Sequence, residues 1–429
     1  MSPPAGRFLE AWPAPPTPQA GLAALGEPLA EPDTVGFVHV ARAADTDRRY
    51  LTRTAEPQQA TALVCLPADT GSLQAIYCVS TADRAAAVDE FVAAEPTDES
   101  PVIDGSPPID RSVAVRDPQT PPGTHVVSVL ADRLGSDAGA GTLCVPSHLP
   151  HDAAIRFQTA GYELSSTAAL TAARATKTDA EVDCLRAVQR AAIHGMRRAH
   201  ELLAEATIDD GTVRVDGNPL SAQQLEREIA AALAAVGVTP ETVRVRDGDI
   251  DATESLPAHK PITVQLGPRG PHGYHGHLTR TIVVDSDGGW DRRAFIAAKA
   301  SQQAGLHHCE PEGNVTTVAA EASAELTAYG FPPLAESTDG DIFEDASNEA
   351  PDEAGGTATA HGVGLAPFEA PSPVDDGKIT DGSVLAIETR VVDPEHGQIR
   401  LGELVAVTAD GGERLIEAPV SLTPTVDDA

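Results

Sequence analysis

The chain has 429 residues, and its 64 acidic side chains outnumber its 30 basic ones to give a formal net charge of −34. This acid surplus repels phosphate groups and anionic lipid head groups, which excludes a nucleic-acid binder and a membrane-surface protein that work through basic charge. A hydrophobic fraction of 41% predicts a folded protein, and the lack of a long apolar run predicts that no segment spans a bilayer.

The first 170 residues alternate short apolar segments with residues that interrupt regular structure. The apolar segments predict buried strands, a helix is predicted over 82–94, and the stretch 107–122 is predicted to be a loop. The pattern indicates a small α/β domain over residues 1–170. The predicted strands are 35–40, 62–66, 73–79, 125–130 and 142–145.

Residues 171–429 show longer helical patterns followed by strands. Two helix starts carry capping boxes, Thr178 with Glu181 and Ser221 with Gln224. This combination indicates an α+β domain. The further predicted elements are a helix capped by Asp291, a helix over 318–329, an acidic loop over 336–356, and strands over 242–246, 262–266, 277–284, 384–391 and 400–408.

Composition also predicts the surroundings in which the protein works. The chain keeps 26 arginines but only four lysines, and its acid is spread along the whole length, which is typical of a halophile, where salt screens self-repulsion. No basic segment followed by an apolar core begins the chain, so we expect a cytoplasmic protein. The cysteines form no CxxC pair and are interpreted as buried hydrophobes in a reducing compartment; they are Cys65, Cys78, Cys144, Cys184 and Cys309.

Three segments of the second domain carry groups suited to catalysis or metal binding. The first joins Gln265 to the motif Gly-Tyr-His-Gly-His-Leu-Thr-Arg-Thr over 273–281. The second is His-Gly-Val-Gly-Leu-Ala-Pro-Phe-Glu-Ala-Pro over 361–371. The third places Glu388 at the end of an apolar strand and continues to Arg-Leu-Gly-Glu over 400–403. An unpaired carboxylate at the end of a buried strand is costly, so Glu388 is predicted to be a site residue.

These motifs resemble the creatinase, aminopeptidase P, prolidase and methionine aminopeptidase superfamily, which has the pita-bread fold. The resemblance covers about residues 174–419 and is looser before them. It implies a creatinase-type N-terminal α/β domain followed by a pita-bread domain. It further implies hydrolysis of a C–N bond in a small peptide or amide substrate, as in Xaa-Pro aminopeptidases and prolidases, and a homodimer.

In active peptidases of this family, two Asp, one His and two Glu hold two divalent metal ions. The chain matches this set at His361 and Glu388. One carboxylate remains where the family has four, so a family-type dinuclear centre is not expected. Glu403 replaces the missing Glu only if a bulge restores its direction, because neighbouring residues of a strand face opposite sides. The substituted positions, in the order first Asp, second Asp and last Glu, are Gln265, His277 and Gly402.

Three functions remain open. In the first, His277, His361 and Glu388 bind one zinc or other divalent ion with a fourth position open for water, and the protein hydrolyses a C–N bond. In the second, the protein is a metal-independent enzyme like the creatinases, which requires a pocket histidine that residues 249–255 lack. In the third, it is a non-catalytic homologue that binds peptides or a partner protein.

Further residues of the motifs are candidates for the pocket around this site. Phe368 stands where the family has a histidine, and Glu369 and Glu403 are nearby acids. Arg280 is interpreted either as a ligand of a substrate carboxylate or as the partner of a structural acid. His275 shares a strand face with His277 and is interpreted as a rim residue.

Overall fold

The computed structural model describes residues 12–68, 71–93, 108–246, 255–334 and 353–426. The chain divides into two compact units, one of Ala14–Arg174 and one of Ala175–Ala429 together with the residues up to Pro13. Both units combine helices with sheets, and the predicted α+β class is confirmed. Within the described ranges, no helix has both the length and the apolar composition that crossing a bilayer requires.

The N-terminal unit is built on a six-stranded mixed sheet. Its strands are β1 (Thr34–Ala41), β2 (Thr61–Pro67), β3 (Leu73–Ser80), β4 (Ile109–Arg116), β5 (Thr142–Val145) and β6 (Glu163–Ser166). They lie in the order β4-β3-β2-β1-β5-β6, with β1 antiparallel to β2 and parallel to β5. The helices are α1 (Gln19–Ala23), α2 (Gly26–Leu29), α3 (Thr46–Thr52), α4 (Arg84–Ala87, continued by a π-helix over Val88–Val92), α5 (Pro122–Leu134, followed by a 3-10 turn over Gly135–Asp137), α6 (His151–Thr159) and α7 (Ala169–Ala175).

Two predictions for this unit are wrong. The segment 125–130 is not a strand but lies inside α5, where Val126, Val129 and Leu130 are buried at helical spacing. The predicted loop over 107–122 contains β4, which pairs with β3 in parallel and forms one edge of the sheet. Most of the side chains of β4 are only half-buried, so the strand lacks the strong apolar signal of the buried strands.

The C-terminal unit is larger and has a central antiparallel sheet of seven strands and a small three-stranded sheet. Its helices are α8 (Asp179–Ala204), α9 (Ala222–Ala235), α10 (Trp290–His307) and α11 (Val315–Ala328). The small sheet has β7 (Thr207–Asp209), β8 (Thr212–Val215) and β9 (Asn218–Pro219). The large sheet has β10 (Thr239–Arg246), β11 (Pro261–Arg269), β12 (Leu278–Val283), β13 (Gly355–Gly362), β14 (Val384–Asp393), β15 (Gly397–Thr408) and β16 (Gly411–Arg414).

The order of elements in the large sheet places two similar halves side by side. The strands run β10-β11-β12-β15-β14-β13, with β16 added on β15. One half has α8 and α9 with the three strands β10 to β12, and the other has α10 and α11 with the three strands β13 to β15. The cores follow this division: Leu225, Ile229 and Ile262 are fully buried in the first half, and Val318 and Ile387 in the second. The strands β12 and β15 therefore meet at the centre of the sheet.

Of the three predicted helix caps in this unit, two are correct and one is wrong. Both capping boxes are confirmed, since Thr178 and Ser221 accept the backbone N–H of Glu181 and Gln224, whose side chains reach back to the cap. Asp291 does not cap α10, because the helix begins at Trp290 after Gly289. The predicted acidic loop lies mostly outside the described residues, and β13 begins at its end.

All five cysteines are free and buried, as predicted. Burial raises the pKa of the thiols of Cys78 and Cys309 to about 12. These thiols therefore stay protonated at neutral pH and pack as small hydrophobes.

Candidate functional site

Strand pairing brings the residues selected from the sequence into one row across the large sheet. Gln265 of β11 is opposite Thr279 of β12, Thr279 is opposite Gly402 of β15, and Gly402 is opposite Glu388 of β14. Directly opposite residues of antiparallel strands face the same side of a sheet. We call these four residues the cross-strand row. Two of the three substituted positions therefore lie on one face with Glu388.

His277 and His361 border the cross-strand row. His277 immediately precedes β12, and Gln189 of α8 holds its backbone, accepting from its N–H at 3.0 Å and donating to its carbonyl at 2.8 Å. His361 of β13 is opposite Ala386, two residues before Glu388, so it lies on the same face. The centroids of the two imidazole rings are 6.2 Å apart.

The carboxylate of Glu388 is the centre of a hydrogen-bond network. Nε2 of His277 and the hydroxyl of Thr279 both donate to Oε1 at 2.5 Å, and Nη2 of Arg400 is 3.4 Å from Oε2. Burial raises the pKa of Glu388, but the positive charge of Arg400, the charge of His277 and the two hydrogen bonds outweigh it and lower the pKa to about 2. Glu388 is therefore an anion at neutral pH, and protein groups occupy both of its oxygens.

The space beside Glu388 explains the glycine at position 402. A methyl carbon placed on Gly402 would overlap Oε1 of Glu388, lie 2.6 Å from its carboxyl carbon, and lie 3.0 Å from Nε2 of His277. Real carbon atoms do not approach so closely, so a side chain at 402 would enter the volume that Glu388 now fills. A side chain at position 402 would therefore point towards Glu388 and His277.

Glu403 lies on the opposite face of the sheet from Glu388. The pairing of β14 with β15 continues in register through Ile387 and Glu403, without a bulge. Glu403 instead pairs with Arg414, whose Nε is 2.8 Å from Oε1, and with Arg280, whose Nη2 is 3.5 Å from Oε2. The second interpretation of Arg280 fits the structure: it is 1% exposed and donates to the carbonyls of Thr279, Gly402 and Pro419.

Phe368 and Glu369 have separate positions next to the row. The ring of Phe368 lies 4.6 Å from that of His361, centroid to centroid. Glu369 forms a buried ion pair with Lys177, whose Nζ is 3.0 Å from Oε1. His361 is neutral at neutral pH, because burial and the nearby charge of His277 lower its pKa to about 4.

Arginine side chains add positive charge to the face that carries the row. Arg390 of β14 is directly opposite Arg400 of β15, and both are two residues from the row, so they face the same side as Glu388. Arg390 donates from Nε to Gln398 at 3.1 Å, and in the described part of the chain no carboxylate pairs with it. Burial and the charge of Arg400 lower the pKa of Arg390.

Sequence reasoning missed several residues that build this site. Thr279 lies two residues after His277, and Arg400 lies two residues before Gly402, so the two-residue period of a strand predicts that each shares a face with that neighbour. Gln189 gives no such signal, because it lies on a helix 88 residues before the histidine that it holds. The rim interpretation of His275 is wrong: it is 6% exposed, and its Nε2 lies 3.0 Å from Glu241.

The sequence matches metallopeptidase family M24 over residues 179–409, which is more than half of the chain. The chain therefore belongs to this family, and the resemblance to the pita-bread metallopeptidases is confirmed. It is 26% identical over 156 residues to a Xaa-Pro dipeptidase from Pyrococcus furiosus and 24% identical over 156 residues to one from Pyrococcus horikoshii. Each match covers 36% of this chain, and the matches cover 39% and 38% of the two relatives, so the chain matches about two fifths of their length.

Solved structures of other proteins superimpose on most of this chain. The prolidase from Pyrococcus horikoshii superimposes with a TM-score of 0.67 at 15% identity, covering 94% of this chain and 99% of that one. A Xaa-Pro dipeptidase from Bacillus anthracis gives a TM-score of 0.69 at 17% identity, covering 95% and 99%. At this identity the agreement shows the fold, an N-terminal domain followed by a pita-bread domain.

Proposed function

We propose that this M24 protein uses the face of the cross-strand row to bind a small peptide-like ligand and does not catalyse dinuclear-metal hydrolysis there. One observation carries the proposal: the single carboxylate of the row, Glu388, is already bonded by His277, Thr279 and Arg400. A metal ligand needs free oxygen lone pairs directed at the ion, whereas Thr279 contacts Oε1 of Glu388 and the cationic Arg400 contacts Oε2, and neither side chain is a candidate metal ligand.

The residues of the row do not fit two divalent ions. Such a pair of ions requires several anionic oxygens that also bridge and orient a hydroxide. Here the row offers one carboxylate, position 402 has no side chain, and Gln265 is a neutral amide. Arg400 and Arg390 lie on the same face and repel cations. The local charge thus favours an anionic or polar ligand over two added dications.

The proposed class of ligand is inferred from the proteins to which this chain is similar. Two of them are named Xaa-Pro dipeptidase, and the fold is shared over nearly the whole chain. A retained fold with altered metal positions supports a retained ability to bind small peptides or amides. A homodimer and a cytoplasmic location stay predictions.

The test combines hydrolysis, binding and metal analysis on the full chain, purified without a His tag in high salt. We expect no hydrolysis of Xaa-Pro dipeptides with added zinc, manganese or cobalt. We also expect that one or more of these dipeptides raises the melting temperature, and that Arg390→Gln weakens this effect. Metal-dependent hydrolysis that Glu388→Gln abolishes would refute the proposal, and so would the absence of binding by every dipeptide tested.

The competing function is a hydrolase with one metal ion on His277, His361 and Glu388. The contact between His277 and Glu388 favours it, because it brings two of the three ligands together. However, the ligand atoms of these three residues are not all within 4.8 Å of one another. Their metal-binding role stays a prediction. It requires that the purified chain contains metal and that His277→Ala removes it; metal absent from both proteins, or equal in both, would exclude it.

A further inference from the structure

A group of histidine and aspartate side chains lies in the N-terminal unit, at the end of its sheet where β1 and β5 finish. His39 is near the end of β1, Asp45 caps α3, and His148 follows β5 by three residues. Because β1 and β5 are parallel neighbours, the residues at their carboxyl ends lie at the same edge of the sheet. We call His39, Asp45 and His148 the His–Asp cluster.

The ligand atoms of the His–Asp cluster converge. Nε2 of His39 is 2.7 Å from Oδ1 of Asp45, and Nε2 of His148 is 3.3 Å from Oδ2 of the same carboxylate. All three ligand atoms lie within 4.8 Å of one another, and no other three His, Cys, Asp or Glu residues of the described ranges do so. Ligands of a tetrahedral ion at about 2.0–2.2 Å lie roughly 3.4 Å apart, so little movement would be needed to bind one.

The two oxygens of Asp45 have different partners. Oδ1 accepts the backbone N–H of Arg48 at 2.7 Å as the helix cap of α3. Oδ2 is directed at His148. The carboxylate can therefore bind an ion through Oδ2 while Oδ1 keeps α3 in place.

The histidines differ in exposure in a way that suits a metal site. The side chain of His39 is 1% exposed, and that of His148 is 50% exposed. Among the described residues, Nδ1 of His39 is buried without a hydrogen-bond partner, so no existing bond has to break for Nδ1 to carry the ring proton while Nε2 binds an ion. A fixed inner ligand together with a solvent-facing outer ligand leaves a path by which an ion enters from water.

A second carboxylate supports the cluster from outside. Asp47 pairs through Oδ1 with Nη1 of Arg174 at 2.8 Å, and its Oδ2 is 3.7 Å from Nε2 of His148. Arg174 neutralises the charge of Asp47, so Asp45 supplies the negative charge that is available to an ion at the cluster. Two imidazoles and one carboxylate are ligands that zinc and similar first-row ions prefer, whereas calcium and magnesium prefer oxygen alone.

We propose that the His–Asp cluster binds one divalent transition-metal ion, for which zinc is the best fit. His39, Asp45 and His148 supply three ligands, and the fourth position faces solvent. On binding, the Nε2 proton of His39 moves to Nδ1, and the hydrogen bond of Nε2 with Asp45 is replaced by a bond to the ion. This site belongs to the N-terminal unit, and its three ligands are distinct from the residues of the cross-strand row.

The experiment uses the full chain without a His tag, stripped with a chelator and titrated with zinc by calorimetry. The informative variant is Asp45→Asn, because Asn caps a helix as well as Asp but lacks the anionic ligand. His148→Ala removes the exposed ligand, and His151→Ala removes a nearby exposed histidine as a control. We expect the wild-type chain to bind about one zinc ion. Asp45→Asn and His148→Ala should each lower the affinity for zinc at least about 100-fold, and His151→Ala should leave it unchanged.

Cobalt in place of zinc gives an independent readout. We expect visible absorption bands from cobalt in the wild-type chain and in His277→Ala, and none in Asp45→Asn. The proposal is overturned if the stripped chain takes up no zinc, or if Asp45→Asn and His148→Ala bind it like the wild type. Loss of the ion in His277→Ala or His151→Ala would likewise contradict it. Melting curves show that each variant is folded before its binding is compared.

Discussion

Glu388 fills the space that a side chain on Gly402 would enter, and the two residues are direct partners across β14 and β15. The two positions are therefore coupled: the acid at 388 turns towards His277 and Thr279 because position 402 leaves room for it. In this chain a carboxylate can be restored at 402 only if Glu388 moves.

Gly402→Ala should destabilise the protein by about 1–3 kcal/mol, because the added carbon overlaps the carboxylate of Glu388. The measurement is denaturant unfolding in high salt. A double-mutant cycle with Glu388→Ala provides the control, since removing the carboxylate should reduce the cost of the alanine by at least about 1 kcal/mol. An equal cost in both backgrounds would show that the two positions are independent.

The pH dependence of stability should contain a contribution from His361. Its folded pKa is lowered to about 4 from an ordinary value of 6.5, so between these values the unfolded chain binds a proton that the folded chain does not. The contribution is therefore constant above pH 6.5. As the pH falls from 6.5 to 4, it reduces the free energy of unfolding by up to about 3 kcal/mol.

Comparison with His361→Asn isolates this effect from the titration of the many carboxylates. Unfolding measured at several pH values between 4 and 7 should have a smaller pH dependence in the variant than in the wild type. If the two proteins lose stability in parallel over this range, His361 is not held neutral by its surroundings.

Local signals in the sequence predicted elements well where the signal is itself a physical contact. The pairs Thr178 with Glu181 and Ser221 with Gln224 mark helix starts because their side chains close hydrogen bonds across three residues. The short apolar segment 125–130 carries no such contact. A run of this length fits a buried strand and a buried helix equally well, and here it is part of a helix.

The candidate site depended on pairing between strands, which no local signal provides. The two-residue period correctly indicated that Glu403 faces away from Glu388. Thr279 and Arg400 reach Glu388 only because of the register between β12, β14 and β15. Thr279 is 109 residues from Glu388 along the chain, so no local pattern indicates this contact. The His–Asp cluster was missed for the same reason, since His148 lies far along the chain from its partners.

Glu403→Gln should destabilise the protein by about 3–5 kcal/mol, because it leaves the guanidinium of Arg280 buried without its anionic partner. Urea unfolding in high salt measures this cost. Arg414→Gln is the matched control: it removes the more exposed partner of the same carboxylate and should cost about 1 kcal/mol or less. Similar costs for both variants would argue against a buried structural pair. Because Glu403 faces away from the row, dipeptide binding should be unchanged.

Stability should rise steeply with salt, because a net charge of −34 repels itself at low ionic strength. The Debye length falls from about 10 Å at 0.1 M to about 3 Å at 1 M, so most of this repulsion disappears over that range. The measurement is the free energy of unfolding in potassium chloride, with sucrose as the control, because sucrose stabilises by exclusion without screening charge. A variant that neutralises three exposed acids, Asp381→Asn, Glu395→Gln and Asp410→Asn, should be more stable at low salt and less dependent on salt. If sucrose replaces the salt completely, or if this variant keeps the full salt dependence, the acid surplus does not control stability and the prediction of a halophilic protein loses its physical basis.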